Sequence, residues 1–180
     1  LKRAAAARAV ELVASGTVIG LGTGSTVRPL LELLGARLAS GVLQDVVAVP
    51  TSADTATRCR ALGIPLTTLD DHPKLALAID GADEVGPRLD LIKGLGGALL
   101  REKLVALAAK RFIIIADGSK RVRRLGTRAP VPVEVVPFGW TPHLEFFRQL
   151  GAQPPRRLGK DGQPYRPDGG PSILACRFPP

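Results

Sequence analysis

The chain has 180 residues, a formal net charge of +9, 45% apolar and 23% charged side chains. That is globular usage, sufficient for one good-sized domain or a larger domain with part of a second, and it excludes disorder and collagen-like repeats. Unbroken apolar runs such as Leu75–Ile79 and Phe112–Ala116 fall far short of the roughly 20 residues a membrane span needs.

No basic-then-apolar leader opens the chain, and two cysteines, Cys59 and Cys176, suit a reducing compartment and cannot make a disulfide scaffold. With only two His beside them, structural zinc is close to excluded. A soluble cytoplasmic protein is expected, with no membrane partner. The sequence contains no Met, so an initiator and a few residues are expected before Leu1. Residues 1–100 hold ten basic and ten acidic side chains; residues 101–180 hold fifteen and six, which supplies the whole excess. A basic half raises nucleic acid as a partner, but aromatics are 4% and no helix-turn-helix or RNP-like pattern occurs. No nucleic-acid partner is expected. A basic rim that draws in a phosphorylated metabolite accounts for the charge equally well.

In chain order, the Ala-rich stretch 2–15 predicts a helix stopped by Gly16, and Thr17–Gly22 a buried strand. Residues 26–40 predict a helix capped by Ser25 or Thr26, with Pro29 tolerable in its first turn. Val46–Val49 predicts a strand, Ala53–Leu62 a helix, Leu75–Asp80 a strand, Ala98–Lys110 a helix and Arg111–Ala116 another strand. This alternation predicts an α/β fold: an open, mostly parallel, Rossmann-like sheet with helices on both faces, over residues 1–129. After Arg128 the texture becomes proline-rich and predicts a smaller α+β domain over 130–180, with a strand at VPVEVV, a helix at PHLEFFRQLG and short strands near Arg156 and Ile173. So small a proline-rich piece makes a thin core, and the second domain reads as incomplete at its C-terminal end.

Four strand-to-turn junctions could carry chemistry. The first is Gly20-Leu21-Gly22-Thr23-Gly24-Ser25-Thr26. Its glycines let backbone approach a ligand, the following helix start favours an anion, and three hydroxyls add donors for phosphate oxygens. A dinucleotide fingerprint fails there, because Ser25 or Val27 stands where glycine is required. The strand ending at Pro50-Thr51-Ser52 also lacks a ribose-binding acid, and no lysine precedes the hydroxyls as a nucleotide P-loop requires. A plain tight turn is the bland alternative. The second junction, Asp80-Gly81-Ala82-Asp83-Glu84, packs three carboxylates into five residues, with Gly81 and Ala82 leaving room for substrate between Asp80 and Asp83. A divalent-metal site or a solvated acidic turn remain alternatives, and Glu84 is the one of the three expected to be structural or solvent-facing.

The third, Lys93-Gly94-Leu95-Gly96-Gly97-Ala98 with Glu102 beyond it, pairs a fixed cation with backbone donors, the equipment of an oxyanion site. Glu102 alone reads as readily as an acid favouring a helix N-terminus. The fourth is Asp117-Gly118-Ser119-Lys120, otherwise a polar turn. Strand ends of a parallel sheet converge on one edge. Together these groups suit proton abstraction next to a carbonyl on a phosphorylated sugar.

Taken in order, GLGTGST, AIDGADE, IKGLGGALLREK and IADGSK resemble the ribose-5-phosphate isomerase family of the A type, and the resemblance runs on through PVEVVPF and LACRF. The resemblance implies a metal-free, cofactor-free enzyme that interconverts ribose 5-phosphate and ribulose 5-phosphate in the pentose phosphate pathway, cytoplasmic and homodimeric or homotetrameric. It implies that Glu102 is the base between C2 and C1, and that Asp80 and Asp83 serve ring opening and proton transfer between oxygens. Lys93 with the backbone of Gly94, Leu95 and Gly96 would hold the enediolate. Thr23, Gly24, Ser25 and Thr26 would form a substrate loop, and Lys120 and Lys2 would lie on the phosphate side.

Two departures stand out: Leu95 where many members have Gly or another residue, and a chain that stops after LACRF where members continue with a helix and a Gly-Val-Val…Gly-Leu-Phe segment that completes the small domain. Rival readings are another phosphosugar enzyme of similar fold, such as a hexosamine-phosphate deaminase or a CoA-transferase-like protein, and a sugar-phosphate-sensing domain. A sensor would have no need of Glu102, Asp80 and Asp83.

Overall fold

Apolar, mostly branched residues build a four-stranded parallel sheet from β1 (Val18–Leu21), β2 (Val47–Pro50), β3 (Leu77–Asp80) and β6 (Phe112–Ile114), in the order β2-β1-β3-β6. The computed structural model describes residues 1–159, 161–166 and 170–179. They form two compact units, Leu1–Gly81 with Leu100–Ser119, and Ala82–Leu99 with Lys120–Pro180. Among the described residues, no helix is long and apolar enough to cross a membrane.

In the first unit, period-two alternation sorts the strand residues onto two faces. Ile19, Leu21, Leu77 and Ile79 are buried with residues of α1 (Lys2–Val10), α2 (Arg28–Ala39) and α3 (Ala53–Ala61). Ala78 and Val49 are buried on the other face with Val105 of α4 (Leu99–Ala108). Helices therefore cover both faces, as expected. α4 packs tightly over Gly20: a Cβ built there would lie 2.3 Å from Val105 Cγ1.

Local details depart from expectation. The first helix ends at Val10 rather than 15, because Leu12 and Val13 N–H bond back three residues, to Ala9 and Val10, and tighten the turn. Neither Ser25 nor Thr26 caps α2. Gly24, at φ +108°, turns the chain so that Val27 and Arg28 both donate to its carbonyl, and Val27 occupies the cap position with no side-chain bond. Pro29 does sit in the first turn.

The second unit contains a two-residue-per-strand hairpin, β4 (Glu84–Val85) with β5 (Leu91–Ile92), which was not expected. It also contains the antiparallel pair β7 (Val131–Val135) and β8 (Ser172–Cys176), packed with α5 (Thr141–Gln149) around Val135, Ala152, Leu174 and Cys176. The strand expected near Arg156 is a single bridge to Leu174. Residues 160, 167–169 and 180 of the expected 130–180 domain lie outside the described residues.

Residues 82–99 and 120–129 group with this unit rather than with the sheet, and Glu84 shows why. Its fully buried carboxylate accepts N–H bonds from Gly126 (2.7 Å), Arg128 (2.6 Å) and Ala129 (2.7 Å), tying the hairpin to the segment that leads into β7. Burial alone would raise this carboxyl; the three backbone donors outweigh it and hold it below its ordinary value. Of the two roles expected for Glu84, the structural one is what the fold uses.

Candidate active site

In an open parallel sheet, ligands bind beyond the carboxyl ends of the strands, where the strand order reverses. Here the reversal lies between β1 and β3, since the chain leaves β1 for β2 on one side and returns to β3 on the other. The 22–26 loop and Asp80 occupy that position. Asp80 is 3% exposed, and its Oδ1 accepts from Gly81 N–H (2.7 Å) and Thr23 N–H (3.2 Å). A Cβ on Gly22 would stand 1.9 Å from that oxygen, so glycine is required for the carboxylate to reach the loop.

The loop's hydroxyls divide their work. Thr23 Oγ1 turns into the protein, 2.7 Å from Thr51 Oγ1 and donating to Ser52 Oγ at 2.8 Å. Ser52 also caps α3 by accepting from Thr55 N–H, and Thr55 Oγ1 donates to the Gly22 carbonyl at 2.8 Å. Thr51, Ser52 and Thr55 are all buried. These three are not among the site residues expected from the sequence, although a Ser immediately before a helical stretch is a capping signal. Ser25 is exposed and its Oγ accepts from Lys2 Nζ at 2.8 Å, so Lys2, at the first position of α1, reaches the loop. Thr26 lies beside Gly81, its Cβ 4.0 Å from where a Gly81 Cβ would stand.

Glu102 lies in the first turn of α4 and is only 5% exposed. It precedes Val105 by one helical repeat, so both face the sheet surface that carries Ala78, and alternation along β3 puts Asp80 on that same surface. Burying a carboxylate is costly, and two buried on one sheet face form an arrangement that could carry proton transfer.

Within the second unit, Asp83 and the glycine-rich loop are joined. Asp83 Oδ2 accepts from Leu95 N–H at 2.9 Å, and Asp83 N–H donates to the Ile92 carbonyl at 2.8 Å. Ala82 precedes Asp83 in this unit, and Lys93 follows β5 directly, half-buried. Gly94 has φ +103°, and a Cβ there would lie 2.6 Å from Leu99 Cβ. Leu95, the departure from the resemblance, contributes backbone: its N–H holds Asp83, and its carbonyl accepts from Arg157 Nη1 at 2.6 Å. Gly96 O accepts from Tyr165 Oη at 3.2 Å, and the Arg157 guanidinium stacks 4.1 Å over the Tyr165 ring. No sequence signal marks Arg157 or Tyr165. Lys120 closes a 3₁₀ turn over Gly118–Lys120, half-buried. In the first unit, Asp117 Oδ1 accepts from Ser119 N–H and hydroxyl, which makes that turn a self-bonded one. No cluster of His, Cys, Asp and Glu arranged for a metal occurs among the described residues.

The model of the family described as ribose 5-phosphate isomerase A (phosphoriboisomerase A) matches residues 47–180. A relative named ribose-5-phosphate isomerase A from Roseiflexus castenholzii is 57% identical over 98% of this chain and 76% of its own length. A solved D-ribose-5-phosphate isomerase in complex with phospho-erythronic acid superposes with a TM-score of 0.96 at 39% identity, over 99% of this chain and 78% of that one. Ribose 5-phosphate isomerase A from Methanocaldococcus jannaschii gives 0.94 at 38% identity, over 98% and 79%.

Proposed function

Because the chain belongs to the ribose 5-phosphate isomerase A family, we propose that it interconverts D-ribose 5-phosphate and D-ribulose 5-phosphate through an enediolate, as a step of the pentose phosphate pathway. The observation that supports this most is the pair of buried carboxylates, Asp80 and Glu102, on one sheet face at the strand-order reversal.

Asp80, with Asp83, opens the sugar ring by moving a proton from the C1 hydroxyl to the ring oxygen. Glu102 then takes the proton from C2, and the C–H electron pair becomes the C1=C2 bond while the carbonyl pair moves to O1. The enediolate that forms is held by the Lys93 ammonium and the glycine-loop N–H groups. Each well-aimed oxyanion donor of this kind is worth about 2.7–4 kcal/mol. The O2 proton is passed to O1 through an aspartate, and Glu102 returns its proton to C1, giving the ketose with no net change in protons. Nothing in this sequence of transfers calls for a metal or redox cofactor. The 23–26 loop binds the substrate, with Lys2 and Lys120 on the phosphate side. Ser25, exposed and 2.8 Å from Lys2, is the loop hydroxyl best placed to meet phosphate oxygens.

The same reading includes a homodimer or homotetramer in the cytoplasm. An exposed stripe of Leu100, Leu104 and Leu107 along α4 supports self-association.

Glu102→Gln tests the assignment, because it keeps shape and removes the base. Turnover of ribose 5-phosphate should fall by about 10²–10⁴-fold with KM little changed. Wild-type turnover in this variant would refute the mechanism, and loss of wild-type activity in EDTA with recovery on Mg²⁺ would refute its metal-free character.

A further inference from the structure

We infer that Arg157 and Tyr165 are positioning residues for the reaction, acting through the peptide groups of the glycine-rich loop to fix and strengthen the Gly96 N–H as an oxyanion donor. The inference rests on the role given above to that loop. Of the loop's N–H groups, Leu95 N–H is held by Asp83 and Gly97 N–H by the Gly94 carbonyl at 2.9 Å. No described residue accepts from Gly96 N–H, and Gly96 is exposed. In a trans peptide, C=O and N–H point in opposite directions from one rigid plane. The Arg157 Nη1 that donates to the Leu95 carbonyl at 2.6 Å therefore also sets where Gly96 N–H points. A cation on the carbonyl polarises the whole peptide group and makes its N–H a stronger donor.

Tyr165 fixes the next peptide through the Gly96 carbonyl and supplies the ring on which the Arg157 guanidinium rests. Both side chains are mounted on hydrogen-bonded backbone: Arg157 N–H donates to the Ile173 carbonyl of β8 at 2.8 Å, and Tyr165 N–H to the Arg157 carbonyl at 2.9 Å. Gly97 completes the device. A Cβ there would lie 2.5 Å from Tyr165 Oη, so only glycine, at φ +94°, lets the tyrosine close on the loop.

The test compares Arg157→Met, Arg157→Lys and Tyr165→Phe in the full chain, with ribose 5-phosphate as substrate and phospho-erythronate as inhibitor. The inhibitor's planar carboxylate places negative charge on oxygen beside C2, as the planar enediolate does, whereas the substrate's carbonyl oxygen is neutral. Arg157→Met should lower kcat by ~10–100-fold with KM within ~3-fold, and weaken phospho-erythronate by ~10-fold or more. Tyr165→Phe and Arg157→Lys should each lower kcat by ~3–10-fold, since one bond or the planar stacked guanidinium is lost while ring or charge remains.

Folded variants with wild-type kcat and wild-type inhibition would overturn the inference, as would a loss confined to KM. If Arg157→Met does not fold, the two conservative variants decide by the same readouts. Glu102→Gln in the same assay separates the two levels. An inactive Glu102→Gln beside fully active Arg157 and Tyr165 variants removes only this inference, whereas an active Glu102→Gln removes the reading of the loop itself.

Discussion

Gly22 and Asp80 are in mutual contact across adjacent strands: the α-carbon of the one leaves no room for a methyl group, because a Cβ would fall 1.9 Å from Oδ1 and 2.0 Å from Cγ of the other. The carboxylate cannot swing away cheaply, since Thr23 and Gly81 N–H both donate to it. Gly22→Ala should therefore displace Asp80 or the loop, cost about 2–4 kcal/mol of stability, and reduce kcat by ~10²-fold through misplacement. Thermal unfolding and steady-state kinetics measure the two effects separately. An alanine variant with unchanged kcat would show that Asp80 is not needed where it sits.

Glu84 gives a prediction about acid stability. Its carboxyl is held below its ordinary value, near 4.5, by backbone donors that outweigh burial. A depressed folded-state value means the stabilisation is complete above the ordinary carboxylate range and is lost as pH falls through the lower folded value. Glu84→Gln should cost about 2–4 kcal/mol at pH 7, because a charged acceptor of three N–H groups becomes a neutral one. In urea unfolding at a series of pH values, the gap between wild type and variant should close as the pH drops below the ordinary range. A gap independent of pH would contradict the assignment.

The two thiols should be inert in the native protein. Burial pushes Cys59 up to about 11 against a weaker opposing effect of Arg60, and burial raises Cys176 as well. Both lie at 0% exposure, and a thiolate is the reactive form. A thiol reagent at pH 8 should label neither in buffer and both in denaturant. Rapid labelling of Cys59 without unfolding would show that the packing between α3 and the sheet opens readily.

The parallel sheet was legible because its strands are short apolar runs that stop at Gly22, Pro50, Asp80 and Ala116, each followed by a change of periodicity. The junction motifs were legible because their residue types have few other uses together. The hairpin at Glu84–Ile92 was not, since two residues per strand leave no period to detect. The burial of Glu84 depends on N–H groups 42 to 45 residues away, which no local pattern encodes. Arg157 falls where only a short strand near Arg156 is predicted and Tyr165 in a stretch of Arg, Gly and Pro, and the meaning of both comes only from which carbonyls they reach. Ser25 and Thr26 misled for a related reason: a hydroxyl before a helix suggests a cap until the turn at Gly24 is seen to direct it elsewhere.

Thr23 makes its hydroxyl bonds to Thr51 and Ser52, and this has a thermodynamic corollary. A loop clasped by its own threonine does not need the ligand to shape it, so its ordering entropy is settled during folding rather than at each encounter. With the substrate-binding role proposed for this loop, turnover would need no disorder-to-order step at that strand end, and association there would be governed by diffusion and charge instead of by waiting for a rare conformer.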